Sequence, residues 1–415
     1  MAKGHEPYAR IPAPMRLTHL SLTNFRNFVR LETDISAGTT LITGANAQGK
    51  TSLLEAVHYL SGAHSPHAIS DRQLINFLAL DENPPVSRLV AELQRADRLQ
   101  RIEIRLVLEP AMPGSESRLR KEILINGVRR RVSDLAGIMT SVMFLPQDMR
   151  VIEGTPGERR RHLDASLCQA DALYAQVLAE YAKVLGQRNA LLKQLQERGG
   201  DELDFWDERL VDLAATLMRS RATALAELEM AAEPIHRALT SGLEGLRLVY
   251  DPSHSPGKSA AGQLGLPFEA AFDWHSVTRQ DLIQGMQASL KAMRREEISR
   301  GMTLIGPHRD DVIFRAAGLD LRTYGSRGQN RTAMLALKLA EIEWLEQRTG
   351  EHPVLLLDEV LAELDVPRRE RLLASVAAAP QTLLTSADRG MFSEAFCRQA
   401  TIWQIDAGRL IAQAA

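Results

Sequence analysis

Thr39-Thr40-Leu41-Ile42-Thr43, followed at once by Gly44-Ala45-Asn46-Ala47-Gln48-Gly49-Lys50-Thr51-Ser52, decides the fold. The first run is β-rich. Gly44 to Thr51 then satisfies G-x-x-x-x-G-K-[ST], and Leu53, Leu54, Val57 and Leu60 mark one face of a helix behind it. Strand, glycine-rich turn and helix in that order make a phosphate cradle. The glycines let backbone N–H groups close around phosphates, and the helix N-terminus adds its dipole. Lys50 is a point charge for the β- and γ-phosphates, and Thr51 supplies a hydroxyl to Mg²⁺.

Two later stretches belong to the same site. Val354-Leu355-Leu356-Leu357-Asp358-Glu359 reads as a buried parallel strand ending in two acids. Ligands of open α/β sheets sit at the carboxyl ends of the strands. Asp358 is therefore expected to hold Mg²⁺ through water, and Glu359 to polarise an attacking water as general base. Tyr324-Gly325-Ser326-Arg327-Gly328-Gln329 leads into a long helix from about Gly328 to Gln347. A Ser and a Gly at a helix N-terminus form an anion site. The α/β unit thus offers two phosphate-binding helix starts, where most P-loop enzymes need one.

Outward from these motifs the 415 residues divide by texture. From Arg16 to about residue 145 the pattern is α/β with antiparallel pairing. Ile102, Ile104, Leu106 and Leu108 alternate with Arg101, Glu103, Arg105 and Val107, and Lys121–Ile125 and Val128–Val132 flank the hairpin signal Asn126-Gly127. Then Leu163, Leu167, Ala170, Tyr174, Val177, Tyr181, Val184, Leu191 and Leu195 follow a heptad seam, with Arg188 in the one polar slot. Gly199-Gly200 breaks the seam, and Trp206, Leu210, Leu213 and Leu217 start a second. Two antiparallel helices of roughly 40 residues each would reach about 60 Å. They would form either a bundle lobe or a projecting arm. Asp251–Gly265 reads as a loop, and after Met302 the α/β pattern returns.

Composition narrows the class further. With 45% hydrophobic and 25% charged residues the chain reads as soluble and globular. No apolar run is long enough for a transmembrane helix. Met1 to Pro14 has neither the apolar core nor the cleavage site of a secretory signal, so it reads as a flexible leader, with Met15 a possible alternative start. Cys168 and Cys397 are the only cysteines, without metal-site or scaffold spacing, and the expected compartment is the cytoplasm. A net charge of −2 gives no global pull on nucleic acid, so any such binding needs a local basic face.

Walker A, a signature helix ahead of Walker B, and a helical insertion between them resemble the ABC-type ATPases of the SMC and Rad50 group. The closer resemblance, from Met15 almost to the C-terminus, is to the RecF family of bacterial recombination mediators. It is carried by Leu22-Thr23-Asn24-Phe25-Arg26-Asn27-Phe28, the Q-loop segment Phe144-Leu145-Pro146-Gln147-Asp148 and the basic follow-on Glu158-Arg159-Arg160-Arg161. Further along come Gly306-Pro307-His308-Arg309-Asp310-Asp311, Gly328-Gln329-Asn330-Arg331-Thr332 and Leu356-Leu357-Asp358-Glu359-Val360 with Glu363-Leu364-Asp365. The chain departs from the family at His67, where Arg is usual, and at Ala362, where Ser is usual.

The resemblance implies an α/β fold: an ABC-type, Rad50/SMC head-like P-loop ATPase domain built from both chain ends, with an inserted α-helical lobe. The expected division is a leader at 1–14, ATPase parts at 15–145 and 301–415, and the lobe at 146–300. It further implies ATP on Gly44, Ala45, Asn46, Ala47, Gln48, Gly49, Lys50, Thr51, Ser52, Arg26, Asn27 and Gln147, and Mg²⁺ on Thr51, Asp358 and Gln147. Glu359 is the implied catalytic base, with Ser326, Gly328 and Gln329 as a signature acting in trans and Asp365 in the D-loop. An ATP-dependent homodimer with weak DNA-stimulated ATPase activity would act at gaps or stalled forks. Its partners would be DNA, RecR and RecO, placing RecA on single strands coated by SSB, with no membrane partner. The implied DNA contact falls on Arg118, Arg120, Lys121, Arg129, Arg130 and Arg131, clustered at one hairpin, with Arg101 and Arg105 extending the face. A structural SMC protein would need far longer arms, and a transporter ATPase a switch histidine where Thr385-Ser386 stands.

Overall fold

The computed structural model describes residues 15–95, 98–109, 117–195, 202–254, 274 and 277–412. The leader at 1–14, the Gly199-Gly200 break and most of the loop after Asp251 lie outside the described residues. At the centre is a six-stranded sheet in the order Arg409–Ala412, Thr401–Asp406, Gly38–Thr43, Gln381–Ser386, Val354–Asp358, Ser141–Phe144. All neighbours pair in parallel except the edge strand Arg409–Ala412. The strand leading into the P-loop therefore lies between two strands from the far end of the chain. Val354–Asp358 is buried throughout because both sheet faces are covered. Val354 and Leu356 join one hydrophobic core, Leu355 and Leu357 the other.

The first of these cores fills the space between the P-loop helix, Lys50–Gly62, and a six-stranded antiparallel sheet. That sheet runs Phe28–Asp34, Arg16–Phe25, Val86–Arg95, Arg98–Glu109, Arg118–Ile125, Val128–Arg130. Its period-two pattern directs Leu20, Leu22, Leu89, Ala91, Ile102, Ile104, Leu106 and Ile123 into the core and turns arginines and glutamates outward. The hairpin turns at Asn126-Gly127, both with positive φ (52° and 78°), as its short loop requires.

The second core joins the other face of the parallel sheet to the signature helix, Arg327–Thr349, and the helical segment. Leu210, Leu217 and Leu225 of the 37-residue helix Leu203–Leu239 share it with Leu335, Leu339 and Leu355. Over this length the segment is a packed lobe rather than a free arm. The first heptad seam is not one helix. Asp171 stops Pro156–Ala170 and caps Ala172–Gln194 by accepting from the Leu173 and Tyr174 N–H groups, so the seam is carried by helices of 15 and 23 residues. Its polar slot is filled by a fully buried Arg188, which donates to Asp207 (2.7 Å), Glu297 (2.7 Å) and Thr303 (2.8 Å). Gly306–Asp311 fastens the lobe to the rest. Asp311 binds Arg159 with both oxygens, Asp310 accepts from Tyr250 and Ser253, and the Pro307 carbonyl accepts from Arg221.

Candidate functional site

Leu41 and Ile42 are buried in the two cores on opposite faces of the strand Gly38–Thr43, and Leu53, Leu54 and Val57 fix the helix, so the loop between them has little freedom. Gly49 sits at φ 116°, and a Cβ there would run into the Asn27 side chain. No side chain caps the helix it opens, which leaves the first N–H groups for a ligand. The Lys50 ammonium is 4% exposed and donates to the carbonyls of Gly44 (2.8 Å) and Ala45 (3.0 Å). It also pairs with Glu359 Oε1 at 3.0 Å.

The strand end Asp358-Glu359 meets this loop directly. Thr51 Oγ1 donates to Asp358 Oδ2 at 2.7 Å, joining residues far apart in sequence. Thr385 Oγ1 donates to Asp358 Oδ1 at 2.7 Å and accepts from the Glu359 N–H at 3.0 Å. Glu359 itself adopts φ 51°, an uncommon conformation that swings its carboxylate over the P-loop. Asp358 is buried, whereas the Glu359 side chain is 37% exposed.

Gly44, Ala45 and Gln48 shape the loop from behind. Asn27 Nδ2 donates to the Gln48 carbonyl at 2.9 Å, and the C-terminal hairpin grips the same residue through Ala407 N–H to Gln48 Oε1 (2.6 Å) and Gly408 N–H to Gln48 O (3.1 Å). A groove of about 560 Å³ opens over the loop, lined by Asn46, Ala47, Gly49, Lys50, Thr51, Ser52 and Glu359 and, from outside the motif, by Arg26, Asn27, Gln73, Ile75 and Phe77. Arg26 faces this groove but is bound bidentately by the buried Glu55 (2.7 and 2.8 Å).

Gln147 is placed elsewhere. It does not line the groove but meets His67 Nδ1 at 2.8 Å in a neighbouring cavity of about 480 Å³. His67, a departure from the family pattern in sequence, is thus the partner of the Q-loop glutamine. That cavity is electrostatically unusual. Burial, aided by the charge of His64, holds His58 down at about 3. Burial pushes the Glu341 carboxyl up, but His162 and Lys338 outweigh it and bring it to about 2. Burial raises the Asp148 carboxyl.

Ser326, Gly328, Gln329 and Asp365 also lie away from the groove. Ser326 is exposed and caps the signature helix through a capping box, its Oγ accepting from the Gln329 N–H (3.2 Å) and Gln329 Oε1 accepting from the Ser326 N–H (3.0 Å). Gln329 Nε2 then reaches Glu244 at 2.9 Å. Asp365 caps Val366–Ala378 and pairs with Arg368, which also binds Thr332.

The basic hairpin residues divide between two faces. Arg118, Arg120 and Arg129 stand on the outer face with Arg101 and Arg105, among Glu103, Glu109 and Glu122. Lys121 points the other way, to Asp71 (2.7 Å), the Ala63 carbonyl (2.8 Å) and the Tyr59 ring. Strand alternation accounts for that separation. Arg130 is exposed beside Ile123, and Arg131 precedes a short 3₁₀ turn.

A P-loop and an acid-ended strand joined across a parallel sheet, with an antiparallel sheet on one side and a signature helix with an exposed start on the other, define an ABC-type ATPase head of the SMC and Rad50 kind. Residues 16–408 match the RecF/RecN/SMC N-terminal domain. The DNA replication and repair protein RecF of Roseiflexus castenholzii is 38% identical over 95% of this chain and 99% of its own length; that of Chloroflexus aggregans is 39% identical over 96% and 100%. A solved structure of the recombination mediator protein RecF-ATP in the RecFOR pathway superposes with a TM-score of 0.81 at 29% identity, covering 99% of this chain and 100% of that one. This chain belongs to the RecF family. Among the described residues no helix is long and apolar enough to cross a membrane.

Proposed function

We propose that the groove over Gly44–Ser52 binds and hydrolyses ATP with Mg²⁺, and that the nucleotide gates DNA binding and two-fold dimerisation in recombinational repair and replication restart. The observation that carries this reading is the Thr51–Asp358 hydrogen bond, which sets a hydroxyl and a carboxylate side by side at the open cradle. Two hard oxygen donors fit Mg²⁺, which when bound would neutralise charge on the phosphate oxygens. Lys50 has three donors, spent here on two carbonyls and Glu359. A phosphate arriving at Lys50 competes with Glu359 for it. Binding thereby frees the Glu359 carboxylate to take a proton from water, and the base is not released before its substrate is present.

The exposed Ser326 cap, remote from its own P-loop, suits closure over ATP held by a second copy, with Asp365 at the same interface. Arg118, Arg120 and Arg129 supply the phosphate-contacting face, while Lys121 stays in its structural role. RecR and RecO are the proposed partners, with RecA loading on SSB-coated strands downstream, in the cytoplasm. We assign the ATPase parts to 15–145 and 301–415 and the lobe to 146–300. The test is ATPase activity with and without gapped DNA. Stimulation by gapped DNA supports the reading, and silence with every DNA form overturns it.

A further inference from the structure

The signature start and the D-loop are far apart in sequence, yet one side chain joins them. Arg368, three residues after Asp365, binds both. Its Nε donates to Thr332 Oγ1 at 2.9 Å, its Nη2 donates to the same oxygen and to the Gly328 carbonyl (3.3 Å), and its Nη1 pairs with Asp365. Thr332, buried one turn inside the signature helix, donates its own hydroxyl to the Gly328 carbonyl at 2.8 Å. The Thr332 hydroxyl thus has its donor and both its acceptor positions in use.

The D-loop end of this link is equally committed. Asp365 Oδ1 accepts from the Arg368 N–H at 3.2 Å, so the residue that caps Val366–Ala378 and the residue that carries the guanidinium hold each other. Packing gives that helix little anchorage of its own: of its 13 residues, Leu372 and Val376 are the buried ones. A second bridge, Arg331 to Glu363 at 4.0 Å, is long and joins exposed side chains, so it contributes little. The Arg368 side chain is partly buried and lines no part of the nucleotide groove, which separates its work from ATP contact. Charge-assisted bonds on a planar fork fix direction as well as distance.

We infer that Arg368 is a positioning residue that yokes the D-loop to the start of the signature helix, so that one copy presents Asp365 and Ser326 to the ATP of a second copy as one rigid edge. This rests on the trans reading above and adds the part that keeps its two elements in register. Without the yoke each element must be ordered separately when the copies close, and that ordering opposes association. The loss therefore falls on dimerisation and leaves ATP capture by the monomer alone.

The experiment measures ATP affinity at protein concentrations too low for dimers, and ATP-dependent dimerisation by light scattering. It compares wild type with Arg368→Met, Arg368→Lys, Thr332→Val and the double variant Arg368→Met with Thr332→Val. Arg368→Met is expected to leave monomer affinity unchanged and to weaken dimerisation about 10-fold to 100-fold, the usual range for losing a hydrogen bond to a charged group. The double variant should lose no more than Arg368→Met, because both changes cut one link. Arg368→Lys should not restore dimerisation, since an ammonium lacks the fork. Wild-type dimerisation in Arg368→Met overturns the yoke, and so does full recovery with lysine. Additive losses in the double variant overturn it, because Arg368 would then not act through Thr332. A matching loss of monomer ATP affinity overturns it too, since the residue would then support the fold at large. If wild type forms no dimer with ATP, the trans reading itself fails and this inference falls with it.

Discussion

The chain presents two helix starts suited to anions, and they are prepared in opposite ways. The P-loop helix opens at Gly49 with no side-chain cap, and its lysine is drawn back onto the loop's own carbonyls. The signature helix opens at Ser326 with a complete capping box, so the Ser326 and Gln329 N–H groups already have partners. One is an uncapped cradle in a groove, built to take charge by itself. The other is self-satisfied and exposed, and it gains from a phosphate only when something brings the phosphate to it. Under the proposed function, nucleotide is captured first by the P-loop and met second by the signature of another copy, which would link ATP to dimerisation.

The largest effect should come from emptying the cradle. Lys50→Met removes the buried cation and is expected to abolish detectable nucleotide binding, with DNA affinity lost alongside, as read by calorimetry. Wild-type ATP affinity in this variant would move the phosphate site elsewhere. Glu359→Gln should bind ATP normally and slow turnover roughly 10²–10⁴-fold, the usual cost of removing a general base. Single-turnover hydrolysis at the wild-type rate would exclude Glu359 as that base.

Ser326→Arg sharpens the contrast between the two starts. It should bind ATP as a monomer but neither dimerise nor hydrolyse it, by light scattering and phosphate release. Mixed with Lys50→Met it should regain a fraction of the activity, because one site of the mixed dimer then pairs an intact P-loop with an intact signature. If Ser326→Arg alone dimerises and turns over normally, the signature does not act in trans.

The smallest effect concerns the packing between the two helices. His58, on the P-loop helix, is held at about 3 by burial first and then by His64 and Lys338, against an opposing pull from Glu341. Its folded pKa lies below the unfolded value of 6.5, so the unfolded chain takes up the proton first and stability falls as pH drops from about 6.5. The slope is at most about 1.4 kcal/mol per pH unit for one histidine. His58→Gln should flatten the dependence of Tm on pH between 6.5 and 5. Some slope should persist from His308, which burial lowers to about 4. An identical slope in the variant would show that His58 does not titrate on unfolding.

Both helix starts were legible because their chemistry is local: a P-loop, an apolar strand with two acids and a serine cap are each contained in a few residues. What escaped was set by long-range contacts. Gln147 looks like a groove residue in sequence, yet His67, brought in by the turn after the P-loop helix, holds it in the next cavity. The heptad seam runs without a break past Asp171, but that residue stops one helix and caps the next. Arg188 filled a seam position whose compensating acids come from two other helices. The strand alternation that turns Lys121 away from its neighbour Arg120 was readable, and charge clustering obscured it.

The grip of Ala407 and Gly408 on Gln48 bears on how the protein is made. The cradle motif leaves the ribosome early, but the strands on both sides of Gly38–Thr43 and the turn that braces its loop are translated more than 300 residues later. At about 5–20 residues per second, that wait lasts on the order of tens of seconds. Through it the nascent chain carries a Walker A sequence without the sheet that shapes it. Nucleotide capture is thereby reserved for chains translated through to the closing hairpin, and a product truncated before Thr401 would lack both a neighbouring strand and the clamp on Gln48.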